Sequence, residues 1–238
     1  MGSTQPSVWS AIRVTEPAGV NLAGVILDSE VLWFAATNTW IVAPERSGEA
    51  VVIDAPPDPG GIGRLLARYD LTPVALLLTH GHIDHMGGAE SVRKLGAGVF
   101  VHPDDDYLTM DPVAQMRGLF GMVPPGEYLP PTQTIGLRHG MELRLAGIDF
   151  EVIHTPGHTP GHCCFRVRSE EWLFSGDQLF AGSIGRTDLP GGSFEQLAES
   201  MRDRVMPLAD ETRVLPGHGP ETTIGTERKT NPFRGEWA

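Results

Sequence analysis

Residues 74–85 read VALLLTHGHIDH, an apolar run that ends in three histidines and an aspartate. The apolar part predicts a strand that is buried on both faces. His80 and His82 lie two residues apart in an extended segment, so their rings point the same way and can reach one metal ion. Asp84 and His85 lie at the turn out of this segment and can face a second point nearby. Imidazole and carboxylate ligands suit Zn²⁺ and also iron or manganese.

A single histidine on a strand more often packs in a protein core than binds a metal. Here a packing role would have to explain four ligand-type residues within six positions at the end of an apolar strand. Burying these groups without partners is costly, so the pattern favours a metal site. Gly81, between the first two histidines, is expected to leave room for their rings and for a bend of the backbone.

The pattern His-x-His-x-Asp-His after an apolar strand resembles the signature of the metallo-β-lactamase superfamily, and residues 79–85 match it without a gap. The resemblance implies further ligands in a fixed order, each in a loop that follows a predicted strand. The chain supplies His158 in HTPGHTPG, Asp177 in FSGD and His218 in LPGHG. Asp54, which ends the sequence VVID, matches the early aspartate of the family, which supports the ligands without binding metal itself.

Carried over to this chain, the resemblance implies two metal ions and seven ligands. The ligands would be His80, His82 and His158 for the first ion, Asp84, His85 and His218 for the second, and Asp177 as the bridge between them. Four further histidines are not expected to be ligands. His102 and His139 lack motif context and are expected to have surface or packing roles. His154 and His162 flank the His158 loop; a structural role is favoured for them, with support of the ligands as the alternative.

The resemblance covers about residues 21–233 and implies an α+β fold. This fold is the αββα sandwich, with the metal ions at one edge between two sheets. The chain shows no internal repeat and no low-complexity linker, which fits a single domain over residues 1–238. Residues 1–10 are expected to form a polar tail.

Hydrophobic patterns predict where the strands and helices lie. Strands are predicted at residues 21–27, 39–43, 50–54, 74–79, 98–102, 141–145, 148–154, 163–167, 171–175 and 213–215. Helices are predicted at residues 62–69, 86–95 and 194–205. The stretch 103–131 is rich in proline and glycine and is expected to be irregular, as a substrate flap or a subunit contact.

The composition limits the partners of the protein. A formal net charge of −12 over 238 residues argues against nucleic acid as a partner. No apolar stretch is long enough to cross a bilayer, and the start of the chain lacks the pattern of a signal peptide. Cys163 and Cys164 are adjacent and would point to opposite faces of a strand, so no disulfide joins them. A cytoplasmic protein without membrane partners is predicted.

Within the superfamily, the chain resembles the single-domain glyoxalase II-like hydrolases. Residues 182–192 look like the Gly-Arg loop that borders their active site, and residues 223–233 resemble the end of their chains. The resemblance implies cleavage of a thioester, such as S-lactoylglutathione or a related 2-hydroxyacyl thioester, by a metal-bound hydroxide. Two Zn²⁺ ions are expected, with Fe²⁺ or Mn²⁺ as alternatives. Asp84 would orient the hydroxide or accept a proton, and Arg186 and Lys229 would contact the substrate.

Other activities remain open from the sequence. Persulfide dioxygenases share the fold and use a single iron, which His80, His158 and Asp177 could hold. A lactonase or another hydrolase of the same fold is also compatible with the ligands. A non-catalytic binding module is disfavoured because every ligand is present. The chain stops at Ala238 without the helical domain that contacts glutathione in two-domain glyoxalase II, which leaves the native thiol open.

Overall fold

The computed structural model describes residues 24–237. The predicted tail at residues 1–10 and the start of the strand predicted at residues 21–27 lie outside this part. Two six-stranded sheets face each other, and helices cover their outer faces. This architecture confirms the predicted αββα sandwich. Within the described residues, no helix is both long and apolar enough to cross a bilayer.

The first sheet is mixed and leads into the histidine motif. Its strands are β1 (Ile26–Leu32), β2 (Thr37–Ala43), β3 (Glu49–Ile53), β4 (Thr72–Leu77), β5 (Gly98–Val101) and β6 (Ile135–Gly136). They lie in this order across the sheet, antiparallel from β1 to β3 and parallel from β3 to β6. Since the carboxyl ends of parallel strands meet at one edge, the motif after β4 lies at that edge.

The second sheet is mostly antiparallel. Its strands are β7 (Glu142–Leu145), β8 (Ile148–His154), β9 (Cys163–Val167), β10 (Trp172–Gly176), β13 (Arg213–Pro216) and β14 (Thr222–Thr223), and a separate ribbon consists of β11 (Leu179–Phe180) and β12 (Ser183–Ile184). The order across the sheet is β14-β13-β10-β9-β8-β7, and only β10 and β13 run parallel among these pairs. Ala146 and Gly147 turn the β7–β8 hairpin with φ of 48° and 77°, as the mirror-image turns of tight hairpins require.

Short helices cover both sheets. They are α1 (Pro59–Ala67), α2 (Ile83–Met86), α3 (Ala89–Lys94), α4 (Asp106–Thr109), α5 (Pro112–Phe120), α6 (Phe194–Ser200) and α7 (Ile224–Thr230). Single turns of 3₁₀ helix lie at Pro103–Asp105, Arg168–Glu170 and Arg234–Glu236, and a π-helical turn, Met201–Val205, continues α6.

Alternation along the strands divides the core into layers. Val51 and Ile53 pack between the two sheets, whereas Val52 packs beneath the helices of the first sheet. The same alternation places Cys163 between the sheets and Cys164 beneath the helices of the second sheet. Both cysteines are buried and free, as their positions on opposite faces predicted.

The prediction of an irregular stretch at residues 103–131 was wrong for its first half. A 3₁₀ turn, α4 and α5 occupy much of residues 103–120. Pro103 and Pro112 are at the start of a helical turn, where the missing amide hydrogen costs nothing. Asp111 caps α5 by accepting a hydrogen bond from the amide of Ala114. The prolines therefore begin helices here rather than interrupting them.

Other predicted boundaries also differ from the structure. The helix predicted at 86–95 is two helices, because the amide of Gly88 donates to Ala55 O instead of continuing α2. The first strand continues to Leu32, beyond its predicted end at residue 27. Its polar residues Asp28 and Glu30, which hid the strand pattern, form ion pairs with Arg68 just after α1.

Phe165 lies fully buried between the two sheets and tests the importance of this layer. We expect Phe165→Ala to lower the free energy of unfolding by about 3–5 kcal/mol, because it leaves a cavity in the packed core. Urea denaturation followed by circular dichroism measures the loss. The matched control is Phe194→Ala at the exposed start of α6, which should cost less than about 1 kcal/mol. Equal losses in both variants would contradict the assigned core.

Candidate metal centre

Loops at one edge of the sandwich carry the predicted ligands. The loop after β4 and the following α2 supply four of them, and the loops after β8, β10 and β13 supply one each. The structure brings all seven together at this edge. They are His80, His82, Asp84, His85, His158, Asp177 and His218.

The first group of ligands consists of three buried histidines. His80 Nε2 lies 3.2 Å from His158 Nε2, and His82 Nδ1 lies 2.9 Å from the same atom. Ligands in a tetrahedral site with bonds of about 2.0–2.1 Å to Zn²⁺ are about 3.3–3.4 Å apart. The three nitrogens therefore have nearly the spacing of ligands around one ion.

The second group lies beside the first. His218 Nε2 is 3.2 Å from His85 Nε2 and 3.3 Å from Asp84 Oδ2. The remaining edge, from Asp84 Oδ2 to His85 Nε2, measures 3.6 Å. These separations again match ligands of a single ion. The geometry thus indicates a dinuclear metal site.

Asp177 lies between the two groups. Its Oδ2 is 3.6 Å from His158 Nε2 of the first group, and its Oδ1 is 3.4 Å from His85 Nε2 of the second. Oδ1 is buried and has no hydrogen-bond partner among the described residues. A buried carboxylate oxygen without a partner is costly unless a cation binds it. The position of Asp177 therefore fits a bridge between two ions.

Outer hydrogen bonds fix which nitrogen of the histidines faces the centre. His158 Nδ1 donates to Arg186 O at 2.7 Å, and His218 Nδ1 donates to Ala36 O at 3.2 Å. A carbonyl oxygen only accepts, so each Nδ1 carries the proton and each Nε2 presents a lone pair. Metal-binding histidines are oriented in this way by their second nitrogen.

Asp54 orients two further histidines, as the family resemblance implied. Its Oδ2 accepts a hydrogen bond from His85 Nδ1 at 2.8 Å and another from Thr79 Oγ1 at 2.8 Å. Thr79 Oγ1 in turn accepts from His80 Nδ1 at 3.0 Å. Asp54 has a φ of 58°, an unfavourable value for a residue with a side chain. The strained backbone places one carboxylate where it serves both metal groups.

Asp105 joins the two loops that carry the first group, and the sequence did not reveal it. This buried carboxylate accepts hydrogen bonds from Gly81 N at 2.9 Å, Thr159 Oγ1 at 2.6 Å and Gly161 N at 2.7 Å. Gly81 is on the loop of His80 and His82, whereas the other two donors lie in the loop of His158, between β8 and β9. Asp105 therefore sets the distance between these loops.

The role predicted for Gly81 needs correction. A Cβ at this position would lie 2.7 Å from Leu108 Cβ and 2.9 Å from Asp105 O. The space that the glycine leaves is thus filled by the segment that contains α4, not by the histidine rings. Gln115 of α5 holds the same loop, since its side chain accepts from Ile83 N at 3.1 Å and donates to Gly81 O at 2.8 Å.

His162 supports the backbone of Asp177 through a hydrogen bond. The amide of Asp177 donates to His162 Nε2 at 3.1 Å, and His162 Nδ1 donates to Thr155 Oγ1 at 2.8 Å. Burial lowers the pKa of His162 well below its ordinary value, with further contributions from His158 and other neighbouring histidines. The neutral ring fits the acceptor role of Nε2. His162 thus has a structural role, in agreement with the prediction.

Hydrogen bonds from Asn38 of the first sheet hold the loop of His218. Asn38 in β2 donates through its side chain to Pro216 O at 3.0 Å and to Gly219 O at 2.9 Å. Its amide donates to Gly217 O at 2.7 Å. A strand of the first sheet therefore holds a ligand loop that belongs to the second sheet.

Comparison with known proteins shows the family. A model of the metallo-beta-lactamase superfamily matches residues 32–218. The hydroxyacylglutathione hydrolase GloC of Haemophilus influenzae is 40% identical over 181 residues, which are 74% of this chain and 84% of GloC. The chain belongs to the metallo-β-lactamase superfamily. It is a metal-dependent hydrolase of that superfamily.

Solved structures of superfamily members agree with this assignment. BLEG-1, a B3 metallo-beta-lactamase, superposes with a TM-score of 0.79 at 36% identity, covering 88% of this chain and 99% of that one. TTHA1623 in a di-iron-bound form superposes with a TM-score of 0.76 at 40% identity, covering 87% and 99% of the two chains.

Glycine is required at residue 217 because side chains of neighbouring loops lie close to its backbone. A Cβ at residue 217 would lie 2.5 Å from Asp177 Oδ1 and 2.6 Å from His85 Cε1. Both neighbours are predicted metal ligands held from other directions, so neither can give way without moving the centre. No side chain fits at this position, which explains the glycine before His218 in LPGHG.

Neighbouring charges shift the pKa values of several candidate ligands. Burial disfavours a charge on His85, but Asp177, Asp84 and Asp54 outweigh it and raise its pKa from 6.5 to about 10. Burial and the adjacent His158 lower the pKa of His82 to about 3. Asp84 is partly buried, which favours its neutral form, yet His85 and His218 hold its pKa below the ordinary value. The carboxylate of Asp84 is therefore ionised and ready to bind a cation.

The two predicted substrate contacts lie in exposed ion pairs. Arg186 Nε donates to Asp188 Oδ1 at 2.7 Å, while the backbone oxygen of Arg186 holds His158. Lys229 Nζ lies 3.6 Å from Asp210 Oδ2. Substrate binding by either side chain stays a prediction. The backbone contribution of Arg186 had no signal in the sequence.

Asp105→Asn tests the clamp between the ligand loops. In this variant a side-chain NH₂ group replaces one carboxylate oxygen and faces a hydrogen-bond donor of a ligand loop. Two donors repel each other, so the loops should separate. We expect the affinity of the first site for Zn²⁺ to fall by about 10–100-fold, the usual effect of losing an outer partner of the ligands. Competition with a chelator of known affinity measures it. Asp106→Asn, at the next position, is the control and should keep the affinity; an unchanged affinity in Asp105→Asn would refute the clamp.

Metal binding should release protons at neutral pH. In the metal-free protein His85 stays protonated up to a pH of about 10, whereas a ligating imidazole must be neutral. At every pH below about 10, an increase in pH should therefore strengthen Zn²⁺ binding. Calorimetry at pH 7.5 in buffers with different ionisation enthalpies counts the released protons. Binding heats that do not depend on the buffer would contradict the raised pKa.

Proposed function

We propose that this protein hydrolyses a thioester, with 2-hydroxyacyl thioesters such as S-lactoylglutathione as the first candidates. The complete set of ligands for two ions carries the proposal, since hydrolysis at a dinuclear centre needs no serine or cysteine nucleophile. The 40% identity with the hydroxyacylglutathione hydrolase GloC supports the substrate class.

The chemistry follows from which ligands are accessible. When bound, two divalent ions lower the pKa of water towards neutrality and polarise a carbonyl group. His80 and His85 are fully buried, whereas the side chains of Asp84 and His218 are 16% and 27% exposed. Substrate therefore approaches from the side of Asp84 and His218. Asp84 would orient the attacking water and accept its proton.

Two Zn²⁺ ions are our first proposal for the metals. Imidazole and carboxylate ligands at these spacings also suit Fe²⁺ and Mn²⁺. The relative TTHA1623 has been solved in a di-iron-bound form, which supports iron as the alternative for this chain. The partner of the centre is a small-molecule thioester, and neither nucleic acid nor a membrane is part of the proposal.

The second group of ligands favours hydrolysis over persulfide oxidation. A single iron held by His80, His158 and Asp177 would leave the other ligands without a role. Yet ligand atoms of Asp84, His85 and His218 converge within 4.8 Å of one another. Such a group of two imidazoles and one carboxylate is explained by a second ion.

Hydrolysis of S-lactoylglutathione by the metal-loaded protein tests the proposal. We expect the wild type to cleave the thioester. In His82→Ala the activity should fall by at least about a hundredfold, because a predicted ligand of the first ion is lost. Loss of a residue that only supports a ligand costs about 10–100-fold. His139→Ala is the control, since His139 lies outside the ligand groups. Metal content is measured on each variant, so that loss of metal and loss of chemistry are separated.

The possible outcomes are distinct. Two ions per chain without cleavage of any 2-hydroxyacyl thioester would refute the substrate class but keep the dinuclear centre. One iron per chain with O₂ consumption on a persulfide would refute hydrolysis altogether. Arg186→Ala should raise KM and keep the metal content if its side chain binds substrate.

A further inference from the structure

A second group of metal-type ligands lies apart from the dinuclear centre. It consists of His102, Asp104 and His154, with one ligand atom of each within 4.8 Å of the others. His102 directly follows β5 of the first sheet, and His154 ends β8 of the second. The group thus spans the two sheets at the edge where the catalytic ligands lie.

Hydrogen bonds fix the protons of both histidines. The amide of Asp104 donates to His102 Nδ1 at 3.2 Å, so this nitrogen presents a lone pair. His154 Nε2 donates to Pro160 O at 2.8 Å, so His154 Nδ1 has no proton in the neutral ring. His154 Nδ1 therefore has a free lone pair, whereas metal binding by His102 Nδ1 would replace its hydrogen bond from the Asp104 amide. Orientation of a ring by a backbone carbonyl, as in His154, is typical of metal-binding histidines.

The two rings and the carboxylate lie close together. The rings of His102 and His154 are stacked, with centroids 4.0 Å apart and an interplanar angle of 6°. Asp104 Oδ2 lies 3.6 Å from His102 Nδ1, which is too long for a hydrogen bond and near the spacing of two ligands on one ion. Burial and the neighbouring His154 lower the pKa of His102, so this ring is neutral at pH 7.

We propose that His102, Asp104 and His154 bind a divalent transition-metal ion that joins the two sheets. Two imidazoles and one carboxylate suit Zn²⁺, Co²⁺ or Ni²⁺, whereas Mg²⁺ and Ca²⁺ prefer sites made of oxygen atoms. Asp104 is 58% exposed, so an ion reaches the site from solvent and water completes its coordination. The in-plane lone pairs of two parallel rings do not meet, so binding requires His102 and His154 to leave their stack and turn towards the ion.

The bound ion would act on the neighbouring centre through the chain. Asp104 belongs to the same 3₁₀ turn as Asp105, which clamps the loops of the first group. His154 begins the loop that carries His158. An ion between Asp104 and His154 therefore fixes both sides of that clamp, and stabilises the folded protein because it binds only the folded chain.

Zn²⁺ alone is the probe for the test. The metal-loaded protein is dialysed against excess free Zn²⁺ at pH 7.5, and the metal content and the unfolding temperature are measured. We expect the wild type to hold one more equivalent than His102→Gln, His154→Gln or Asp104→Asn. His139→Gln is the matched control and should keep the extra equivalent. Because Asp104→Asn changes only an exposed carboxylate, it should fold normally. This variant therefore tests the site even if a histidine variant folds poorly.

The results separate the proposal from its alternatives. Excess Zn²⁺ should raise the unfolding temperature of the wild type and of His139→Gln, but not that of Asp104→Asn. Affinity for the extra ion should fall by at least about tenfold in Asp104→Asn, since even outer partners of a metal site cost about that much. Equal zinc content and equal stabilisation in the wild type and in all three ligand variants would overturn the site.

Discussion

The constraint on which this structure depends is the convergence of unprotonated ligand atoms at one buried edge. Outer hydrogen bonds direct the Nε2 lone pairs of His80 and His158 at each other across 3.2 Å. Asp177 adds a buried oxygen that has no partner among the described residues. Such an arrangement repels itself unless positive charge lies within it, and protonated His85 supplies only part of that charge. Bound metal ions would therefore stabilise the fold as well as supply the chemistry.

This repulsion explains why the edge is held so firmly. The amide of Cys163 in the second sheet donates to Thr79 O in the first at 2.7 Å, directly before the histidine motif. Asn38 makes the corresponding link to the loop of His218. Each link crosses the plane between the sheets beside a ligand. Because ligands come from both sheets, the metal geometry survives only if the sheets cannot slide.

The histidine motif and the family resemblance predicted the fold and the candidate ligands, but not the residues that support them. The candidate ligands lie in short motifs after strands; spacing indicated those of residues 80–85, and the family resemblance implied His158, Asp177 and His218. Asp105 and Gln115 carry no such signal, since their partners are backbone atoms far away in the chain. The proline-rich composition around them suggested a loop, yet Pro103 and Pro112 begin helical turns. Contacts that depend on tertiary packing have no local pattern by which to be recognised.

Hydrogen bonds of Asp105 tie its segment to the two loops that carry the first group of ligands. Its carboxylate is buried with three donors around it, and burial raises its pKa although each donor lowers it. A buried carboxylate that binds backbone amides loses these bonds whenever the segment lifts, so opening is costly. Asp84 and His218 belong to the second group of ligands, and their side chains are 16% and 27% exposed. The support at Asp105 therefore acts on the loops of the first group, whereas the two more exposed ligand side chains belong to the second.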